Sequence, residues 1–299
     1  MDLHEVLSEI EYFVPEIFSL YVEEIISDGT SGTFATLDDS ISEFIEPYYI
    51  LHKGVKILYR NENEIALPTS EANFVSEVLA LQKLKEIGTP HVPIICGWSF
   101  NEECYYILME RINGKSFTDW VSLKRRTDEE IYQIGLQLLI ACQEIHKLGL
   151  AHRDIKPDNI IIEEYEEDNK INYRVVLLDL GLACSDKILG IRLSTGIVGA
   201  VRYRSPERFL EIPDSQLPVA SDYWAVGVTL MYLITGREFD NLHRCRAVNS
   251  VTLKSAIISY VDKEFHLPDY PQTSKIFCAT IVANPLERIV KVAALLDSI

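Results

Sequence analysis

His152-Arg153-Asp154-Ile155-Lys156-Pro157-Asp158-Asn159, running directly into Ile160-Ile161-Ile162, decides how this 299-residue chain is read. The order is too particular for a solvated cluster of charge, and the triple isoleucine makes it a loop that ends on a buried strand. Working outward, the chain after Phe117 is patterned mostly as helix, at 128–147, 220–235, 250–260 and 275–298. The chain before it carries strand-like runs at Leu20–Ser27, Thr33–Leu37, Tyr48–Tyr59, Ile94–Phe100 and Tyr105–Glu110. A helix interrupts them after Pro68, with Thr69 or Ser70 as candidate N-cap, and runs to Gly88. Apolar residues at three-and-four spacing over 4–18 predict a further helix that Pro15 kinks or ends. Strands first and helices afterwards predict an α+β fold of two unequal lobes. The boundaries read as an N-terminal helix over 1–19, a small lobe over 20–109, a joining segment over 110–116 and a large lobe over 117–299. The acidic Glu163–Asp168, between two apolar runs, is expected to be the solvated tip of a hairpin.

Composition sets the outer limits. Hydrophobic residues make up 47% and mean hydropathy is +0.06, ample for a buried core. The formal net charge is −17, which argues against direct nucleic-acid partners and anionic membrane surfaces, since both need clustered Lys and Arg. Six scattered cysteines with no C-x-x-C pair predict neither a disulfide framework nor a zinc site, and suit a reducing compartment. The acidic start and a longest strongly apolar run of Tyr223–Gly236 give no sign of a signal peptide or membrane span. An intracellular globular protein is expected.

The octapeptide resembles the catalytic loop H-R-D-x-K-x-x-N of eukaryotic serine/threonine protein kinases. That resemblance implies a bilobal kinase fold, with a mainly antiparallel-sheet N-lobe and a helical C-lobe, and transfer of the ATP γ-phosphate to a protein hydroxyl. It implies Asp154 as the catalytic base, Lys156 as the cation that neutralises the moving phosphate, and Asn159 as a magnesium ligand. Asp179-Leu180-Gly181 resembles D-F-G and makes Asp179 the second magnesium ligand. Gly199 to Glu207 resembles G-T-x-x-Y-x-A-P-E, with Ala200 in place of a Thr that bonds the catalytic Asp. Asp222 resembles the anchoring Asp of D-x-W-S-x-G, and Arg288 the Arg of N-P-x-x-R, for which a buried pair with Glu207 is expected.

In the small lobe, Ser27, Gly29, Gly32 and Phe34 fit G-x-G-x-x-G-x-V, with Ser for the first Gly and Phe for Val. Such glycines let backbone amides approach phosphates without an intervening Cβ. The phosphate-binding lysine is Lys53 or Lys56; three apart on one strand, they point to opposite faces. The small Gly54 two before Lys56, against Leu51 two before Lys53, favours Lys56, while Lys53 stays open. Its helix partner by family spacing is Glu77. Tyr106–Gly114 resembles the hinge, with Met109 as gatekeeper and Glu110 and Ile112 offering a backbone carbonyl and amide to adenine.

A finer resemblance, to the cell-division-cycle-seven kinases of replication initiation, rests on Tyr12–Phe18, Asp28-Gly29-Thr30, Ile65-Ala66-Leu67 and Arg204–Glu207. It implies a nuclear enzyme with a regulatory subunit and a role in the cell cycle; Pro68 after Ile65-Ala66-Leu67 and the missing large inserts depart from it. Arg153 beside the catalytic Asp implies activation by phosphorylation, with Ser185, Ser194 and Thr195 as candidates. The competing expectation is a pseudokinase scaffold, suggested by Ser27, the ambiguous lysine and Ala200.

Overall fold

The structure is a computed structural model that describes residues 4, 7, 12, 13, 22–29, 32–37, 53–59, 70–183, 199–209, 217–235 and 269–299. It divides into two units, Met1–Asn113 with Asp179–Ala183, and Gly114–Leu178 with Cys184–Ile299. The division falls after Asn113, so Gly114–Ser116 of the expected joining segment go with the second unit, and Asp179–Ala183 joins the first.

In the first unit, β1 (Val22–Gly29), β2 (Gly32–Leu37), β3 (Lys53–Tyr59), β4 (Ile95–Phe100) and β5 (Cys104–Glu110) form an antiparallel sheet in the order β1-β2-β3-β5-β4. Alternation along the strands puts Ala35, Leu37, Val55 and Leu108 in one cluster, which Phe13 completes. The helix α1 (Ser70–Glu86) buries Phe74, Val78 and Leu81 at four- and three-residue spacing against β4 and β5. Phe74 stacks on Tyr105 at 4.8 Å between ring centroids. The N-terminal segment departs from expectation. His4 is helical, but Tyr12 makes a parallel bridge to Trp98 and the Phe13 amide donates to the Trp98 carbonyl at 2.9 Å. The apolar spacing of 4–18 thus does not mark one continuous helical face: Phe13 is held by an unpaired sheet edge, which outweighs local periodicity.

In the second unit, α2 (Phe117–Leu123), α3 (Asp128–Lys147), α4 (Pro206–Phe209), α5 (Leu217–Thr235), α6 (Pro271–Thr280) and α7 (Pro285–Leu296) are joined by a sheet of β6 (Lys115–Ser116), β7 (Ile160–Glu167) and β8 (Lys170–Leu177). Thr127 and Glu130 cap α3 reciprocally, and Ile131, Ile134, Leu138, Cys142 and Ile145 make its buried stripe. The region 275–298 is two helices. Asn284 accepts the Leu286 and Glu287 amides and Pro285 takes the first position of α7, which starts a new helix where the apolar pattern alone would continue one. The expected helix at 250–260 lies outside the described residues. The acidic run is strand as far as Glu167; its last residue, Asp168, opens the turn, and it is exposed from Glu164 on. β7 continues to Glu167, and the turn is Asp168-Asn169, at φ 52° and 57°. Glu163 pairs with Arg174, and Glu164 accepts the Trp120 indole N–H at 2.6 Å, so part of the run is spent internally. Among the described residues, no helix is long and apolar enough to cross a membrane.

Arg288 ties α7 to α4 and α5. Its five N–H groups are all used: Nη1 donates to Glu207 Oε1 at 2.6 Å and the Ala220 carbonyl at 2.8 Å, Nη2 to Glu207 Oε2 at 3.2 Å and the Val282 carbonyl at 2.6 Å, and Nε to Val282 again at 3.0 Å. Both partners are buried, so removing one strands a charge out of water. Arg288→Met is expected to lower the unfolding free energy by about 3–5 kcal/mol, read from urea denaturation. A loss below about 1 kcal/mol would show that the pair is not the anchor its geometry makes it.

Candidate active site

Two groups of polar side chains stand out, one in each unit. In the first unit they meet on β3, α1 and Asp179. Val55 is fully buried in the sheet cluster, so Lys56 faces the other way. Its ammonium donates to Glu77 Oε1 and Oε2 at 2.9 and 2.6 Å, and to Asp179 Oδ1 at 2.8 Å. The side chains of Lys56 and Glu77 are 12% and 2% exposed, so this is a nearly dry ion triad. Burial opposes the charge on Lys56, but Glu77 and Asp179 outweigh it and raise its pKa above the ordinary lysine value. Burial pushes the Glu77 carboxyl up, to about 7, against the pull of Lys56 and of the Leu180 amide. Asp179 sits at φ 62°, and Gly181 packs so closely that an added Cβ would lie 3.2 Å from Asp179 Oδ1. Ser76, the residue before Glu77, donates to the Ala183 carbonyl at 2.9 Å, a second tie between α1 and the Asp179 segment.

The β1–β2 ladder pairs Ser27 with Phe34 and closes on Gly29 opposite Gly32; the two residues between, Thr30 and Ser31, lie outside the described residues. Phe34 pairs with Lys56 across β2–β3, and its ring covers Gly54, where any Cβ would overlap it. Of the two candidate lysines, Lys56 is the one placed at Glu77 and Asp179; the Lys53 side chain lies outside the described residues, and its backbone pairs with Glu110. Met109 is buried, Glu110 ends β5 with its amide on the Ile94 carbonyl at 2.8 Å, and Ile112 follows in a segment without regular structure.

In the second unit the loop between Leu150 and β7 is shaped by Asp222 of α5. Asp222 Oδ2 accepts the His152 amide and Oδ1 the Arg153 amide, each at 2.8 Å. Burial works against its charge, but the His146 hydrogen bond and the Arg153 amide leave its pKa below the usual carboxylate value. Arg153 is held at φ 72°, and the next residue, Asp154, is 6% exposed. The Asp154 carboxylate receives three N–H donors: Lys156 Nζ at 2.8 Å and Asn159 Nδ2 at 3.0 Å on Oδ2, and the Ala200 amide at 2.8 Å on Oδ1. Asn159 Nδ2 also donates to the Asp154 carbonyl at 2.8 Å, which assigns the amide and leaves Oδ1 as its outer acceptor. His152 donates through Nε2 to Leu178, 3.0 Å away, and receives the Asp154 amide on Nδ1 at 3.3 Å.

Gly199, which the sequence marks only as the head of the Gly199–Glu207 motif, has a backbone role of its own. It sits at φ 83°, and a Cβ there would run into the Arg153 carbonyl. It sets the close approach that puts the Ala200 amide on Asp154. The substitution of Thr by Ala at 200 therefore leaves a donor in place, from backbone rather than side chain. The signal was a Gly at the head of the Tyr203–Glu207 motif. The candidate phosphorylation sites Ser185, Ser194 and Thr195 lie outside the described residues.

Asp179 in the first unit offers carboxylate oxygens and Asn159 in the second an amide oxygen, each a hard donor of the kind magnesium takes.

The family model described as a protein kinase domain matches residues 53–289. The match starts at Lys53 and so leaves the β1–β2 hairpin outside it. Among curated proteins, sperm motility kinase Z of Mus musculus is 32% identical over 54% of this chain and 30% of its own length. Serine/threonine-protein kinase PrkC of Bacillus subtilis is 29% identical over 79% of this chain and 34% of its own length. Serine/threonine-protein kinase RAD53 of Saccharomyces cerevisiae is 27% identical over 52% and 20%. The chain thus spans about a third or less of the length of these relatives.

The triad carries a pH signature. The folded state holds the Glu77 proton to about pH 7, whereas unfolded glutamates release it near 4.5. The folded state therefore binds more protons between those values, and this group's contribution makes stability fall as pH rises from about 4.5 through 7 and level off above. Glu77→Gln is expected to flatten that part of the curve, measured by chemical denaturation at closely spaced pH values. An unchanged slope would place the titration elsewhere.

Proposed function

The chain belongs to the protein kinase family, and from that premise we propose that it transfers the γ-phosphate of ATP to a serine or threonine hydroxyl of a protein. The observation that carries the reading is the state of Asp154. A carboxylate offers about four lone-pair sites, and three are taken by Lys156, Asn159 and Ala200. The remaining site, on Oδ1, accepts the proton of the incoming hydroxyl as its oxygen bonds to the γ-phosphorus and the bond to the β–γ bridging oxygen breaks. Lys156 holds its ammonium at the same carboxylate, placed to meet charge on the transferred group. Lys56, fixed by Glu77, would bind phosphate oxygens; by the family pattern Asp179 and Asn159 would each offer an oxygen to magnesium, which would supply charge neutralisation. Gly29 and Gly32 bring backbone close to phosphate, and Glu110 and Ile112 present backbone groups to adenine; both assignments rest on the family pattern.

The features that suggested a scaffold weigh less beside this geometry. Lys56 has its glutamate, and Ala200 still supplies a donor to Asp154. The finer reading is a kinase of cell-division or replication control, nuclear and bound to a regulatory subunit. It is supported by the Tyr12–Phe18 and Arg204–Glu207 motifs, while the relatives reported above are serine/threonine kinases of other names.

Magnesium-dependent ³²P transfer to a mixed protein substrate tests the reading. Asp154→Asn is expected to lower turnover by about 100-fold or more, and Lys56→Met to lose more activity than Lys53→Met. Equal transfer by wild type and Asp154→Asn would remove the catalytic assignment, and ATP binding without transfer by wild type would favour the scaffold.

A further inference from the structure

The face of the first unit's sheet that carries Lys56 also holds a pair of residues that the proposed chemistry leaves without a task. Cross-strand partners share a face, so Phe34, Lys56, Gly54 and Met109 lie on one side of the sheet, opposite Ala35 and Val55. Phe34 pairs with Lys56, yet its ring reaches along the strand to Gly54. A Cβ at 54 would overlap Cζ, the far end of that ring, with Cε1 and Cε2 only 2.7 and 3.1 Å away. The ring therefore fills the place of a β3 side chain. It is half-buried, so part of its surface stays open.

What crosses the ring follows from register. On the kinase reading, Lys56 would bind phosphate oxygens and Glu110 would offer its carbonyl to adenine. Glu110 pairs with Lys53, three residues from Lys56, or about 10 Å along β3. A nucleotide that reaches both must pass over what lies between them on the Lys56 face, and that is Gly54 with the ring above it. Of the two, the ring alone is a flat π-surface, and a planar base gains by stacking on one. We propose that Phe34 is the base-stacking residue of the nucleotide site, and that the Phe34–Gly54 pair selects purines. A purine covers more of a ring than a pyrimidine does, so the stack discriminates as well as binds. Where the nucleotide lies rests on the kinase reading above. Two roles compete: packing alone, in which the ring only fills the gap over Gly54, and obstruction, in which it takes room a base needs.

Binding separates the three, measured by titration calorimetry on the full chain with magnesium present. Phe34→Val removes the ring. Phe34→Val combined with Gly54→Ala removes it and fills the gap with a Cβ, which restores packing. Stacking predicts that both variants bind ADP about tenfold more weakly than wild type, the order of one lost base–aromatic stack. It also predicts a loss of about threefold or less for CDP, and a change within about twofold for tripolyphosphate, which has no base. In wild type the adenine H2 and H8 proton resonances of bound ADP move upfield, as protons over a ring face do, and in both variants they return toward their free values. Packing alone predicts wild-type ADP affinity in the double variant, and that result overturns the proposal. Equal losses for ADP, CDP and tripolyphosphate overturn it too, as does tighter ADP binding by Phe34→Val, the mark of an obstruction. Should Phe34→Val fail to fold, the double variant and the wild-type proton shifts decide, and unmoved H2 and H8 resonances overturn it. Wild type that binds no nucleotide ends both this proposal and the kinase reading. Wild type that binds ADP yet transfers no phosphate from ATP ends the catalytic assignment alone, and the affinities still decide the role of Phe34.

Discussion

A single buried carboxylate, Asp222, sets the conditions for the rest of the second unit. A charge in the apolar α5 is tolerable only when donors replace the water it has lost, and the donors at hand are two consecutive backbone amides of the loop between Ala151 and Ile160. Because those amides are successive, satisfying them dictates the local backbone, including the left-handed Arg153. The conformation of the loop is thereby bound to the packing of α3 against α5, and it cannot relax without stranding a charge in the core. Gly199 then completes the arrangement by letting backbone approach the Arg153 carbonyl where a side chain would block it.

The first unit solves a related problem differently. Lys56 is flanked by two carboxylates, so the triad carries an excess of negative charge in a nearly dry place. Burial and the second carboxylate both favour a proton on Glu77, while Lys56 stays charged. What orients the lysine is strand parity: Val55 belongs to the cluster of Ala35, Leu37 and Leu108, so its neighbour must face the opposite side. Phe34, where the family pattern has a smaller residue, is accommodated because Gly54 leaves room for its ring. The Phe and the Gly are one solution to a packing problem on that face.

This explains what could be read in advance. His152 to Asn159, Asp179 and Arg288 announce themselves because side-chain identity and order carry the chemistry. The α+β class follows from strand-like runs preceding helical ones. What resisted was set by backbone geometry or by partners remote in the chain. Gly199 has no side chain to signal its role, and the Ala200 amide would serve with almost any residue there. Tyr12 and Phe13 sit in a helical pattern, yet β4 offers an edge and the sheet cluster offers a pocket, and those contacts win. The helix break at Ile281–Asn284 was visible as Asn284-Pro285, a cap and a first-turn proline, but apolar spacing on both sides hid it. Between Lys53 and Lys56, Gly54 was the sequence's pointer to Lys56, and the structure adds that Lys56 donates to Glu77 and Asp179.

The net charge of −17 gains meaning from the same geometry. Among the described residues the buried carboxyl groups have dedicated donors: Asp154, Asp222, Glu77 and Glu207 each face an ammonium, a guanidinium, an imidazole or amides. Elsewhere acids serve structure. Asp128, Glu129 and Glu130 open α3, where the exposed amide ends of the helix favour them, and Glu130 closes the cap with Thr127. Glu164 holds Trp120 and, with Glu130, the buried Arg126, whose guanidinium lies 3.4 Å over the Trp120 ring. That network fastens the base of the β7–β8 hairpin, so Glu166 and Glu167, which lie exposed beyond it, stand on a ribbon rooted in the core. Among the described residues, surface acid thus has structural employment at the start of α3 and along this ribbon, while Lys56 and Lys156 each keep a carboxylate partner.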